Sequence, residues 1–198
     1  KVSILRHALG LYQASLPGLT GLSKARVEKR IEELFKAAGL AKDVDLIPLV
    51  DPKVDLCVGN WSVQGTTLVN DGVGIMEVPY VPPDEYDLKV TVERKGGTMA
   101  MIVGLVAGGR QVGVGMDEDQ VSGLARIDGR RPDENETGHR GTLLPLNKER
   151  LLFISVRKTA VALTVDGQKI FDWKGEAGRL SRNPATPLRA PNVLYLVA

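Results

Sequence analysis

The polar stretch Asp128–Gly141 (DGRRPDENETGHRG) concentrates more hydrogen-bonding chemistry than any other part of the chain. Asp128, Arg130, Arg131, Asp133, Glu134, Asn135, His139 and Arg140 combine guanidinium donors with carboxylate and amide acceptors. That mixture suits a polyhydroxylated ligand, because each hydroxyl both donates and accepts. The competing reading is a solvated loop, and both stand at this level. Trp61 and Trp173 are the only tryptophans. An exposed indole at either position would stack on a pyranose face, and otherwise both rings pack in a core or at a sheet corner. Aromatics make up only 5% of the chain, too few for an extended stacking platform. Asp117-Glu118-Asp119 beside Gln120 is rich in oxygen, but calcium takes six to eight oxygen ligands, and adjacent acids cannot all turn inward. A charged turn is the expectation there, with no metal and no cofactor.

Catalytic signatures are missing from the sequence: no G-x-S-x-G elbow, no H-E-x-x-H and no phosphate-binding G-x-x-x-x-G-K-[ST] occurs. The single cysteine, Cys57, excludes an internal disulfide framework and lies in the apolar stretch Val54–Val58, where it is expected to behave as a small hydrophobe. Only His7 and His139 could serve a thiol as base, and neither sits in a recognisable context. Paired carboxylates for glycoside cleavage require a spatial separation that spacing along the chain does not define.

The elements that must position these residues change character near residues 43–57. Residues 1–42 carry eight Lys/Arg against three Asp/Glu, whereas residues 58–198 carry seventeen of each. Eighteen of the 22 glycines follow Val58. The first segment reads as helical. Ile4, Leu5, Ala8, Leu11 and Tyr12 recur at three- and four-residue spacing, Leu16-Pro17-Gly18 breaks the run, and a second helix begins near Ser23. Val27, Ile31, Leu34, Phe35 and Ala38 form its apolar stripe, with Gly39 as its terminator. Its basic residues are interleaved with Glu28, Glu32 and Glu33, which marks a solvated face rather than a nucleic-acid footprint. Ala41–Pro52 is expected to run extended with some apolar anchoring. No apolar stretch approaches the ~20 residues that span a bilayer, so no membrane insertion is expected.

From Val58 the period becomes two. Tyr86, Leu88, Val90 and Val92 alternate with polar residues, as do Leu152, Ile154, Val156 and Val161, Leu163, Val165. Asp166-Gly167 and Gly108-Gly109 are expected to form tight primed hairpin turns, because their central residues tolerate positive φ. About ten short strands are predicted, in the arrangement of an antiparallel sandwich. Gly104, Gly113, Gly115 and Gly123 inside strands predict a strongly curved sheet, whose concave face could hold a ligand.

Residues 55–198 resemble the concanavalin A-like, laminin G-like sandwich modules of large bacterial proteins, in the same broad superfamily as the domain named for 3-keto-disaccharide hydrolases. The resemblance rests on Gly59-Asn60-Trp61, Val78-Pro79, Pro82-Pro83-Asp84-Glu85-Tyr86-Asp87-Leu88, Val92-Glu93-Arg94-Lys95, Ser122-Gly123-Leu124, Ile127-Asp128-Gly129, Val165-Asp166-Gly167 and Trp173-Lys174-Gly175. Ala14–Leu22 with Val27-Glu28-Lys29-Arg30 looks like the closing helices of a tetratricopeptide-like array. The resemblance implies a mainly β, concanavalin A-like jelly roll behind a short helical hairpin, within a multidomain protein. The expected organisation is a helical segment at 1–42, a linker at 43–54 and the sandwich at 55–198. In that family the sandwich continues one strand past Val193–Val197, so Val54–Val58 or Lys1–Leu5 is expected to cover that edge unless the strand lies outside this sequence.

The functional expectation is a non-catalytic binding module for carbohydrate or another polar surface ligand, with Trp173, Asp128, Arg130, Asn135, His139 and Arg140 as candidate ligand contacts. Two alternatives remain at this level. One is a structural module whose helical segment docks a protein partner, and the other is a hydrolase acting on a glycoside or keto-disaccharide.

Overall fold

The computed structural model describes residues 12, 15, 19–38 and 43–198. The chain divides into two compact units, Lys1–Asp45 and Leu46–Ala198. In the first, helix α1 spans Gly21–Ala38. It starts two residues before the predicted Ser23, because the Thr20 carbonyl already accepts from Lys24 N at 3.4 Å. Ile31 of the predicted stripe is buried, while the helix read at Ile4–Tyr12 and the Gly39 terminator lie outside the described residues except for Tyr12. Among the described residues no helix is long and apolar enough to cross a membrane.

The connector is not simply extended. It holds a 3-10 turn at Ile47–Leu49 and a four-residue helix α2 at Pro52–Asp55. Asp51 caps α2 by accepting from Lys53 N at 3.0 Å, and the Asp55 carboxylate accepts from Asp51 N at 2.7 Å. Proline opens α2, where its missing N–H costs nothing.

Thirteen strands follow, more than the ten predicted, because pieces of two to four residues carry too little periodicity to be seen. β1 (Leu56–Val58), β4 (Ile75–Val78), β13 (Leu194–Val197), β6 (Met101–Ala107), β7 (Arg110–Glu118), β8 (Val121–Leu124) and β9 (His139–Arg140) form a seven-stranded antiparallel sheet in that order. β12 (Gln168–Lys174), β11 (Ala160–Val165), β10 (Glu149–Arg157) and β5 (Tyr86–Glu93) form the second sheet, and β2 (Trp61–Gln64) pairs with β3 (Thr67–Asn70) as a separate hairpin. The architecture is a mainly β antiparallel sandwich. β13 has a partner on both sides, and β1, from the Val54–Val58 segment, forms the outer edge beyond β4.

Alternation decides which side chains meet. Val103, Leu105, Val112, Val114 and Met116 face Leu152, Ile154, Val156, Val161, Leu163 and Val165 in the main core. A smaller core gathers Val50, Trp61, Met76, Val78 and Leu194. Asp166 (φ 50°) and Gly167 (φ 81°), like Gly108 (φ 54°) and Gly109 (φ 73°), take the positive dihedrals predicted for the two hairpins.

The opposite face of the seven-stranded sheet carries Glu77, Tyr195, Gly104 and Gly113 in one register row, and Ile75, Val197, Ile102, Gly115 and Gly123 in the next. All four in-strand glycines therefore share this outer face. Much of it is occupied by the chain itself. A Cβ on Gly104 would lie 1.9 Å from Tyr195 Cδ1, and one on Gly123 would lie 2.8 Å from Thr137 Oγ1. The glycines at 104 and 123 make room for side chains of this protein.

Where β13 stops pairing with β6 at Gly104, Val106 is left without a strand partner on that side. The Tyr86 hydroxyl replaces it, donating to Val106 O at 3.2 Å and accepting from Val106 N at 3.0 Å. Burial pushes the phenol well above its ordinary pKa. Tyr86→Phe keeps the ring but strands both backbone groups, so a loss of about 2–3 kcal/mol is expected by urea denaturation. A loss below about 0.5 kcal/mol would show that water takes over the two bonds.

Candidate functional site

The Asp128–Gly141 stretch is pinned rather than loose. Ile127 and Arg130 exchange both backbone hydrogen bonds, at 3.1 and 3.0 Å, around Asp128 (φ 52°) and Gly129 (φ 78°). Asn135 spends its whole amide on the fold: Nδ2 donates to Leu124 O at 3.0 Å and Arg130 O at 3.2 Å. Its Oδ1 accepts from Thr137 N at 2.9 Å and Thr137 Oγ1 at 2.6 Å. Leu124 N in turn donates to Thr137 Oγ1 at 2.9 Å. These bonds satisfy the free edge of β8 beyond its short pairing with β9. Asn135 is thus removed from the candidate ligand contacts, since no donor or acceptor is left to offer.

Trp173 is removed as well. Only 3% of the residue is exposed, and its ring belongs to the main core, where alternation along β12 places it beside Phe171. Its indole N–H donates to Glu136 Oε1 at 3.0 Å. Arg179 joins this group, donating from Nε to Asp128 Oδ2 at 2.8 Å, with its terminal nitrogen 2.7 Å from Asp128 and 3.1 Å from Glu136. The Glu136 backbone N–H, the Trp173 indole and Arg179 hold the Glu136 carboxyl below the usual carboxylate range. Asp128 is consequently committed to Arg179, and this network fastens the loop to the Ala177–Arg179 turn.

Asp117 is also structural. Its carboxylate accepts from Leu143 N at 2.7 Å and Leu144 N at 3.0 Å, with Arg94 3.7 Å away. Among the described residues no group of three or more His, Cys, Asp or Glu is arranged to hold a metal ion.

Arg130, His139 and Arg140 remain. Arg130 is exposed, and His139 is half-buried on β9 opposite Ser122. Arg140, opposite Val121, lines a cleft of about 100 Å³ with Glu118, Asp119, Arg131, Pro132 and Asp133. Val121 and Gly123 lie on the outer face by alternation, so the cleft opens at the β8–β9 end of that face. Arg131 reaches Asp119 at 3.0 Å, Glu118 at 3.3 Å and Asp133 at 3.7 Å. The Asp119 hydrogen bond, followed by the Glu118 charge, raises the Arg131 pKa further. Asp119 (φ 50°) and Gln120 (φ 63°) make the tight turn that swings these acids towards Arg131. Gly115 lies beside them, and a Cβ there would meet only Glu118 Oε2 at 3.7 Å and Gly123 O at 3.8 Å. Of the six expected ligand contacts, only Arg140 lines this cleft. Of its three acids, Glu118 and Asp119 come from residues read as a charged turn, and Asp133 comes from the polar Asp128–Gly141 stretch.

No protein-family model matches the chain, and neither does any curated protein. Among solved structures the chain is similar to a carbohydrate-binding module, CBM66 from Bacillus subtilis, with 8% identity over 72% of this chain and 89% of that one, at a TM-score of 0.48. It is also similar to the Caenorhabditis elegans galectin LEC-6, with 11% identity over 64% of this chain and 83% of that one, at a TM-score of 0.41. A third likeness is to the Crh5 transglycosylase, with 13% identity over 78% and 66% of the two chains, at a TM-score of 0.49. At such identities a likeness concerns the fold alone.

Proposed function

We propose that the sandwich is a non-catalytic carbohydrate-binding module of a larger protein, standing behind the end of a helical repeat region. The observation that carries this reading is the Arg131–Arg140 cleft. Its two guanidiniums and three carboxylates stand side by side at the open end of a rigid sheet. A cleft of nearly balanced charge holds no strong preference for an ion. It presents donors next to acceptors, which is what adjacent sugar hydroxyls require. Arg131 is occupied by Glu118 and Asp119, so it fixes the two acids as acceptors. Exposed Arg140 is left as the donor that meets the ligand.

The test is a glycan array probed with the whole chain in calcium and again in EDTA. A specific signal unaffected by EDTA is expected. Arg140→Ala should weaken the captured glycan at least about tenfold in calorimetry, without changing the unfolding midpoint. A blank array under both conditions, or full affinity in Arg140→Ala, would sink this assignment.

A further inference from the structure

We infer that the β2–β3 hairpin carries a second ligand site, built around Trp61, for a neutral hydroxylated ring. This rests on the carbohydrate reading and extends it to another part of the sandwich. Trp61, Asn60, Ser62, Gln64, Asn70 and Asp71 line a cleft of about 470 Å³, with Leu56 and Val69 as its apolar members. The composition is unlike that of the Arg140 cleft. Two amides from asparagine, one from glutamine, a hydroxyl and a single carboxylate surround an indole, and no lysine or arginine takes part. Such a lining offers many hydrogen bonds and little charge, beside the small part of the Trp61 indole that stays exposed. A neutral sugar ring has that duality, whereas a phosphate or a peptide carboxylate would meet Asp71 with no compensating cation.

A second observation points to the same place. Trp61 is 9% exposed, and its Nε1 is buried with no hydrogen-bond partner. Buried indole N–H groups ordinarily find an acceptor, so an orphan donor calls for one supplied from outside the chain. The nitrogen lies near the side-chain amide of Asn70, a residue that lines the cleft: both Trp61 Nε1 and Asn70 Nδ2 stand 2.5 Å from the position a Gly74 Cβ would take. Glycine at 74 is what allows the two groups to come this close. Asn70 is held by donating to Asn60 O at 3.2 Å, a single bond at the surface. A ligand oxygen that displaces this amide gives the indole its missing acceptor.

The two clefts lie towards opposite edges of the seven-stranded sheet, since Leu56 belongs to β1 and Arg140 to β9. Six inter-strand spacings separate those edges, roughly 30 Å.

Trp61 supplies its own reporter. Trp173→Phe leaves it as the only tryptophan, and its emission is then followed while neutral oligosaccharides of glucose, mannose, galactose and fructose are added to the whole chain. Saturable change in the Trp61 emission is expected, weakened about tenfold by Gln64→Ala with Asp71→Ala and unaltered by Arg140→Ala. Should Trp173→Phe fail to fold, calorimetry on the wild-type chain gives the same answer through stoichiometry. Two sites are expected, one lost in the Gln64/Asp71 variant and the other in Arg140→Ala. One site lost only in Arg140→Ala would overturn the Trp61 proposal and leave the carbohydrate reading intact. One site lost only in the Gln64/Asp71 variant would support Trp61 and overturn the Arg140 assignment. No binding of any of these sugars would overturn both.

Discussion

Glu77→Ala should cost the sandwich about 3–4 kcal/mol, whereas Glu77→Gln should cost about half as much. Glu77 stands on the outer face of β4 and is only 6% exposed, an unusual place for a carboxylate. Its Oε1 accepts from Arg189 N at 2.6 Å and Ala190 N at 2.8 Å, and the Arg189 guanidinium lies 3.4 Å from Oε2. Two sheet positions away along the hydrogen-bonding direction from β13, Gln111 Nε2 donates to Ala190 O at 3.0 Å and Val193 O at 2.9 Å. The two side chains thus hold residues 189–193 on the sheet, one through the segment's N–H groups and the other through its carbonyls. Alanine at 77 leaves two backbone donors facing a vacated space, and the desolvation of both becomes uncompensated. Glutamine keeps one oxygen for them but loses the charge that faces Arg189. At about 2–4 °C per kcal/mol for a unit of this size, Glu77→Ala lowers the melting midpoint by roughly 6–16 °C. Equal losses in the two variants would show that charge, rather than an acceptor at this position, is what matters.

Glu77 also shows where a sequence stops being legible. Alternation in Ile75-Met76-Glu77-Val78 places Glu77 opposite the core, and that is correct. Alternation is silent on what lies over the other face, and here a segment more than a hundred residues away in the chain covers it. The sandwich was readable because one-sided burial imposes a period of two on Leu152–Val156 and Val161–Val165, and because Asp166-Gly167 and Gly108-Gly109 accept positive φ. β1, β2, β3 and β9 were not readable, being too short to display a period. Among the candidate contacts, Trp173 shares its parity with Phe171, so the pattern Phe-Asp-Trp-Lys already argued for a core ring. Asn135 could not have been excluded in this way. Its amide is consumed by the unpaired backbone of β8, a consequence of how little of that strand β9 covers. Arg140 lines the cleft, but two of the three acids beside it, Glu118 and Asp119, come from a turn whose left-handed residues, Asp119 and Gln120, bring them across.

Gly104→Ala should be among the most damaging single-methyl additions in the chain, costing about 3 kcal/mol or more. Alanine in place of glycine ordinarily helps a strand, by reducing the freedom of the unfolded chain, at a gain of about 0.4–1 kcal/mol. Gly104 takes no positive φ, so its backbone would accept the change. The obstacle is the ring of Tyr195, its cross-strand partner, whose Cδ1, Cγ and Cε1 would lie 1.9–2.2 Å from the new methyl carbon. Tyr195 is 2% exposed, lies across Gly104 towards Gly113, and has its phenol pKa pushed up by burial. It has no room to retreat without leaving the sheet. The decisive measurement is a double-mutant cycle. Tyr195→Ala alone empties a buried aromatic site and costs about 3–5 kcal/mol, but in that background Gly104→Ala should cost nothing and regain the usual few tenths of a kcal/mol. Gly113→Ala gives the scale: its methyl would meet the end of Ile102 at 2.6 Å and the Tyr195 hydroxyl at 3.1 Å, so a smaller loss of about 1 kcal/mol is expected. If Gly104→Ala costs as much without the tyrosine ring as with it, the glycine serves the curvature of the sheet, and the packing of Tyr195 against it is incidental.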